Sequence, residues 1–333
     1  MKIDPAILRA LSLSPSTTTL SSHGGSGFTS TGKIDTTLPD GSKKSFFLKT
    51  GKGRDSAAMF AGEHASLNAL HTVPSLCPQS FAHGELDDRS GSFLVTDFLD
   101  MSTTRSATGD KERGSGMSLA QKLGKLHTTP APIPSGYSKP VFGFPVSTCC
   151  GNTEQDNTWT ESWAEFYAER RLRTILRQAE QNNGKDASLH ATVEKVAQEV
   201  VPRLIGDDHL NGGAPITPVA VHGDLWSGNK GRGRIGGQGA VEDVVFDPSS
   251  CYAHNEYELG IMKMFGGFGK AFLREYHDIC PKTEPVEEYE DRVALYELYH
   301  HLNHYAIFGG GYKGGAMSIM RDLIRKYGSK DEL

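Results

Sequence analysis

Apolar positions in the first hundred residues recur mostly at strand spacing, with one helical interval among them. Thr29 to Ile34 and Lys43 to Lys49 have strand composition, and Pro39-Asp40-Gly41 supplies a turn between them. Phe60, His64, Leu67 and Leu70 lie three or four apart, which predicts a helix over 60–70 with Glu63 beside its apolar face. The run from Ser92 to Leu99 predicts a buried strand that leads into a connection. Ahead of these, Asp4, Pro5 and Arg9 interrupt the apolar residues of 1–13. A short amphipathic helix is expected there, not the core of a signal peptide.

Beyond residue 100 the period lengthens to that of helices. Met101 to Met117 is polar and reads as a loop, and Leu119, Leu123 and Leu126 begin a helix. Residues 128–157 are irregular and carry Pro130, Pro132, Pro134, Pro140 and Pro145; loops of that length are typically functional or disordered. Helices are predicted over 159–181, 189–204, 256–276, 286–307 and 317–327, the first closed by Asn182-Asn183-Gly184 and the second by Gly206. The fold class expected is α+β, with a small β-rich N-lobe over 1–100 and a large, mainly helical C-lobe over 101–333.

Composition narrows the class. With 333 residues, 37% of them apolar, the chain can bury one sizeable core or two modest ones. A net charge of −5 implies no strongly basic face, so a nucleic-acid partner is not expected. No apolar stretch reaches the length of a membrane span. Cys77, Cys149, Cys150, Cys251 and Cys280 are odd in number and irregularly spaced, which suits reduced cytoplasmic thiols rather than zinc or a disulfide framework. The chain ends Lys330-Asp331-Glu332-Leu333, the letters of a retention signal of the endoplasmic reticulum. Without an entry signal that tag would not meet its receptor, so a cytoplasmic location is expected.

Chemistry concentrates in Val221-His222-Gly223-Asp224-Leu225-Trp226-Ser227-Gly228-Asn229, followed by Val244-Val245-Phe246-Asp247-Pro248. Protein kinases place a catalytic Asp and an Asn at this spacing and follow them with a metal-holding Asp. Asp224 is the candidate base for a substrate hydroxyl. Asn229 and Asp247 are candidate Mg²⁺ ligands, hard oxygen donors suited to that ion. The turn Ser22-His23-Gly24-Gly25-Ser26-Gly27-Phe28 could cover ATP phosphates with its backbone amides, with Gly24, Gly25 and Gly27 as the permissive positions, or be a plain turn. Lys49 closes an apolar strand as a phosphate-reaching lysine would, and Glu63 on the next helix could pair with it. Trp226 can stack on a sugar face or fill the core. His300, His301 and His304 share one predicted helix, and packing or substrate contact, with His304 the candidate, is expected of them rather than metal binding.

These residues carry a resemblance. His222 to Asn229 and Phe246 to Leu259 are similar to signatures of the fructosamine/ketosamine-3-kinases, within the protein-kinase-like superfamily. So are Phe142-Gly143-Phe144, Thr148-Cys149-Cys150-Gly151, Met264 to Phe268, Leu302-Asn303-His304 and Gly62 to Leu67. The resemblance runs over nearly the whole chain. It implies a bilobal protein-kinase-like fold and ATP- and Mg²⁺-dependent phosphorylation of the 3-hydroxyl of ketosamines, ribulosamines before fructosamines, on free or protein-bound glycated lysine. The 3-phosphate then falls away and frees the amine, which makes the activity one of protein repair. It also implies a hinge over 96–100, with Asp97, Phe98 and Leu99 holding adenine. A monomer is expected. Two departures stand out: Phe28 occupies a loop position where many relatives carry Cys, and Lys230 to Gly239 is an insertion-like, glycine-rich stretch that could lengthen a hairpin. An aminoglycoside or choline-type kinase, and a nucleotide-binding scaffold without turnover, are the competing expectations.

Overall fold

Asp4 and Pro5 set the first helix, α1 (Pro5–Ala10). The Asp4 carboxylate accepts from the Ala6 amide at 2.8 Å, and proline occupies a first-turn position whose amide would have no helical partner. The computed structural model describes residues 2–25, 29–53, 55–101 and 116–329. The expectations on Gly27, Phe28, most of the 101–117 loop and the C-terminal tetrapeptide fall outside the described residues.

Strands β1 (Thr18–Gly25), β2 (Ser30–Thr37) and β3 (Lys43–Lys52) precede helix α2 (Asp55–Leu70), and β4 (Ser80–Glu85), β5 (Gly91–Asp97) and β6 (Leu99–Asp100) follow it. Next come α3 (Leu119–His127), the hairpin β7 (Thr148–Cys150) and β8 (Thr153–Gln155), and the helices α4 (Trp163–Glu165), α5 (Thr174–Asn183), α6 (Ala187–Lys195) and α7 (Val201–Ile205). The chain continues through β9 (Val219–Val221), β10 (Lys230–Ile235), β11 (Glu242–Val245) and β12 (Cys251–Ala253). It closes with α8 (Leu259–Phe265), α9 (Lys270–Ile279), α10 (Tyr289–Phe308) and α11 (Tyr312–Tyr327). Two packing units result, residues 1–123 with 228–249 and residues 124–227 with 250–333.

In the first unit an antiparallel sheet runs β1-β2-β3-β5-β4. Ile34, Phe46, Leu48, Phe93 and Val95 alternate onto one face and bury against Ile3 and Ile7. The opposite face receives α2, which buries Phe60, Leu67 and Leu70. The Pro39–Gly41 turn forms as expected: Gly41 has φ +83°, and Asp40 accepts from the Ser42 amide at 2.9 Å. The insertion-like stretch does lengthen a hairpin, β10–β11, and β10 also pairs with β6 through Arg234–Asp100 and Ile235–Leu99.

The second unit is helical around Trp163, which is buried among Phe166, Tyr167, Tyr257 and Tyr296. Three sequence expectations change here. The helix expected from 159 starts at Trp163, because Ser162 caps it by accepting from the Glu165 amide, and it passes through a wider π-type turn over Phe166–Arg173. The helix expected over 256–276 is two helices, α8 and α9, since Gly266 and Gly267 take φ +66° and +88°. The irregular stretch 128–157 contains the hairpin β7–β8, turned by Gly151 at φ +67°.

His254 lies fully inside this unit, one ring nitrogen 2.9 Å from the Tyr296 hydroxyl and the other 2.8 Å from Thr283 Oγ1. Burial pulls its pKa down to about 4 from an ordinary 6.5. Between those values the unfolded chain binds a proton that the folded imidazole refuses, so stability falls as the solution is acidified through that window. The shift is worth about 3 kcal/mol. Urea unfolding at about pH 7 and about pH 4.5 should show a smaller acid loss for His254→Gln than for the wild type.

Candidate active site

Alternation along β3 decides what faces the first candidate cluster. Because Phe46 and Leu48 enter the core, Phe47 and Lys49 face the other side. There they line a cavity of about 350 Å³ with His23, Thr31, Glu63, Leu67, Thr96, Asp97, Leu99, Phe246 and Asp247, all of the first unit. Lys49 Nζ donates at 2.6 Å to Glu63 Oε1 and at 2.6 Å to Asp247 Oδ1. Burial alone would lower the Lys49 ammonium, but the two carboxylates hold it well above its ordinary value. Burial pushes the Glu63 carboxyl up, with Lys49 opposing and Asp247 adding to the rise. Lys49 therefore stays protonated, an ammonium held at the wall of the pocket.

Asp247 has φ +57°, a left-handed conformation that Asp tolerates better than most side chains, and its carboxylate is half exposed. Backbone strain of this kind concentrates at functional positions. Asn229 is buried at the end of a 3₁₀ turn, and its carbonyl accepts from the Phe246 amide at 3.0 Å, so the two segments lie side by side. The donor set fits a nucleoside triphosphate with magnesium: an ammonium for phosphate oxygens, and a carboxylate and a carboxamide as hard oxygen ligands. Apolar walls from Phe47, Leu67, Leu99 and Phe246 suit a flat base. Of the expected hinge residues, Asp97 and Leu99 line the cavity. Phe98 is buried instead, edge-on to His23 at 5.0 Å and under Lys33 Nζ at 4.7 Å. Gly24 lies where the β1–β2 register shifts, at φ +91°, and Gly25 pairs with Ser30.

Asp224 belongs to the second unit, on the turn after β9. Glu258 organises that turn. Its fully buried carboxylate accepts from the backbone amides of both His222 and Gly223, the latter at 3.0 Å, and lies 3.6 Å from His127 Nε2. Burial works to raise Glu258; the nearby imidazoles of His127 and His222 and the backbone amide of His222 outweigh it, so its pKa stays below the ordinary value. The Asp224 amide is 3.3 Å from His222 Nδ1, and Cys150 Sγ approaches the Asp224 carboxylate at 3.8 Å.

Trp226, two positions on, is 38% exposed, which removes the core-packing alternative. Its ring meets Phe265 at 5.6 Å, and Phe265 meets His304 at 5.0 Å, so the two substrate candidates flank one exposed phenylalanine. Sequence reading missed three contributors. Glu258 lies within a signature but looks like an ordinary surface acid beside a helix. Cys150 stands in the sequence only as one of five irregularly spaced thiols and as part of a segment carrying the family resemblance. His23 was read only as part of a glycine-rich turn, yet it lines the cavity.

Comparison with known proteins gives consistent results. Residues 12–326 match the family described as fructosamine kinase. The protein-ribulosamine 3-kinase, chloroplastic, of Arabidopsis thaliana is 36% identical over 84% of this chain and 76% of its own length. The ketosamine-3-kinase of Mus musculus is 35% identical over 91% of this chain and 94% of its own. A crystal structure from Haemophilus somnus 129PT, proposed to be a fructosamine-3-kinase, superposes with a TM-score of 0.70 at 19% identity, covering 97% of each chain. It shares the protein-kinase-like fold.

Glu258→Gln leaves one acceptor oxygen for two amides and turns an NH₂ towards the other. The expected result is a loss of about 1–3 kcal/mol in urea unfolding. Because the native carboxylate has a depressed pKa, its contribution is present above the ordinary Glu range and is lost as pH falls through the folded value. The gap between wild type and Glu258→Gln should therefore narrow on acidification.

Proposed function

This chain belongs to the fructosamine kinase family and is accordingly a phosphotransferase; from that premise we propose that it transfers the γ-phosphoryl group of ATP to the 3-hydroxyl of ketosamines. Its substrates are sugar adducts on lysine amines, free or within proteins, with ribulosamine preferred over fructosamine. The Arabidopsis protein-ribulosamine 3-kinase and the mouse ketosamine-3-kinase support this substrate class. The 3-phosphate is unstable and leaves, which frees the amine and repairs the protein.

In this reading Lys49, positioned by Glu63, holds phosphate oxygens, and backbone amides at Gly24 and Gly25 approach them. Asp97 and Leu99 hold adenine at a hinge over 96–100. Asn229 and Asp247 hold Mg²⁺, which when bound neutralises charge on the phosphates. Asp224 accepts the proton of the attacking hydroxyl, kept in place by the Glu258-braced turn, while Trp226 and His304 border the sugar. The observation that carries the reading is the Lys49 ammonium held between Glu63 and Asp247 at 2.6 Å each, at the wall of a pocket of nucleotide-compatible size. We also read the protein as a cytoplasmic monomer. That all five cysteines carry thiols supports a reducing compartment, and no helix among the described residues is long and apolar enough to cross a membrane.

The test is Mg-ATP turnover on ribulosyl-lysine, fructosyl-lysine and an aminoglycoside, with products identified by mass spectrometry. Transfer to ribulosyl-lysine at the higher rate is expected, and Asp224→Asn should lower it about 10²–10⁴-fold while ATP still binds. Transfer to the aminoglycoside alone would overturn the proposed substrate class.

A further inference from the structure

The second unit brings three potential ligand groups to one point, and the proposed phosphoryl transfer uses only one of them. Cys150 ends β7, Asp224 follows β9, and His300 sits in the middle of α10. Cys150 Sγ, an Asp224 carboxylate oxygen and a ring nitrogen of His300 all lie within 4.8 Å of one another. Cys150 and His300 are each only 1% exposed. A second, independent feature points to a ligand: His300 Nδ1 is buried with no hydrogen-bond partner. A buried nitrogen left without a partner is destabilising, which marks the position as one with unused binding capacity. The hairpin is also fixed to α10 beside this point, because Asn303 Nδ2 donates to the Cys150 carbonyl at 3.2 Å.

We infer that Cys150, Asp224 and His300 form a binding site for a borderline-soft divalent cation, Zn²⁺ by its chemistry, and that filling it takes Asp224 out of catalysis. A thiolate, an imidazole and a carboxylate are the donors zinc selects, whereas magnesium prefers oxygen alone. Around a tetrahedral zinc, neighbouring ligand atoms stand about 3.3–3.7 Å apart. The 3.8 Å between Cys150 and Asp224 is close to that spacing. The other separations, within 4.8 Å, close by side-chain rotation of about 1 Å. Binding forms bonds from the metal to sulfur, oxygen and nitrogen and releases the Cys150 thiol proton to solvent; no electron is transferred. The inhibitory half of the proposal rests on Asp224 acting as the base.

The direct test titrates the full-length chain with Co²⁺, whose bond to a thiolate gives a charge-transfer band in the near ultraviolet. One equivalent should produce the band and Zn²⁺ should compete it away. Cys150→Ser should abolish it, Cys149→Ser should keep it, and His300→Ala or His300→Asn should weaken binding about tenfold or more. Circular dichroism establishes that each variant is folded. No band in the wild type, a band that survives Cys150→Ser, or one lost with Cys149→Ser would overturn the site. In the second arm, turnover under excess Mg²⁺ should fall in step with Zn²⁺ occupancy and return with a zinc-selective chelator. Turnover that persists with the site filled would overturn the inhibitory role. An intact band in a protein without ketosamine kinase activity would sink the functional reading and leave the metal site standing.

Discussion

A single ammonium between two carboxylates organises the nucleotide side of this protein. Lys49 reaches Glu63 on α2 and Asp247 after β11, residues 14 and 198 positions away in the chain. Fixing such distant groups on one cation is costly in chain entropy, and an exposed ion pair would return only about 0–1 kcal/mol. Lys49 and Glu63 are instead 12% exposed, so their charges act in a medium that screens them less. Asp247 completes the set at the price of a left-handed backbone. A stability role alone gives little reason for that arrangement, whereas a site that must present charge to phosphates and metal needs it.

The catalytic turn is built on the same logic with the signs reversed. Glu258 is an anion with no exposure, and it persists because two backbone amides and His127 surround it. Its work is positional, since it fixes residues 222 and 223 immediately ahead of Asp224. Both sites thus use a buried charge, satisfied by fixed partners, to hold a more exposed group in place. In each, the braced group is the one assigned to chemistry.

Much of this was legible in the sequence where periodicity or spacing carried it. Strand composition over 43–49 identified the strand that presents Lys49, and the Asp-Asn-Asp spacing singled out Asp224, Asn229 and Asp247. The illegible parts share a physical cause. Cys150 and His300 meet Asp224 only through tertiary packing, and nothing local to Thr148-Cys149-Cys150 points to a carboxylate 74 residues away. The break between α8 and α9 was hidden because apolar spacing continues across Gly266 and Gly267, and only their backbone freedom ends the helix. Phe98 was grouped with its neighbours as a hinge residue, although strand alternation turns its ring away from Asp97 and Leu99.

The central claim, that the Lys49 cluster is the site of a magnesium-bound nucleotide, is open to one direct measurement. Isothermal titration of the full-length chain with ATP, with and without Mg²⁺, should show tighter binding with the ion for the wild type. Asp247→Asn should lose that gain by about tenfold or more while keeping metal-free binding. Equal magnesium dependence in the two proteins would contradict the account.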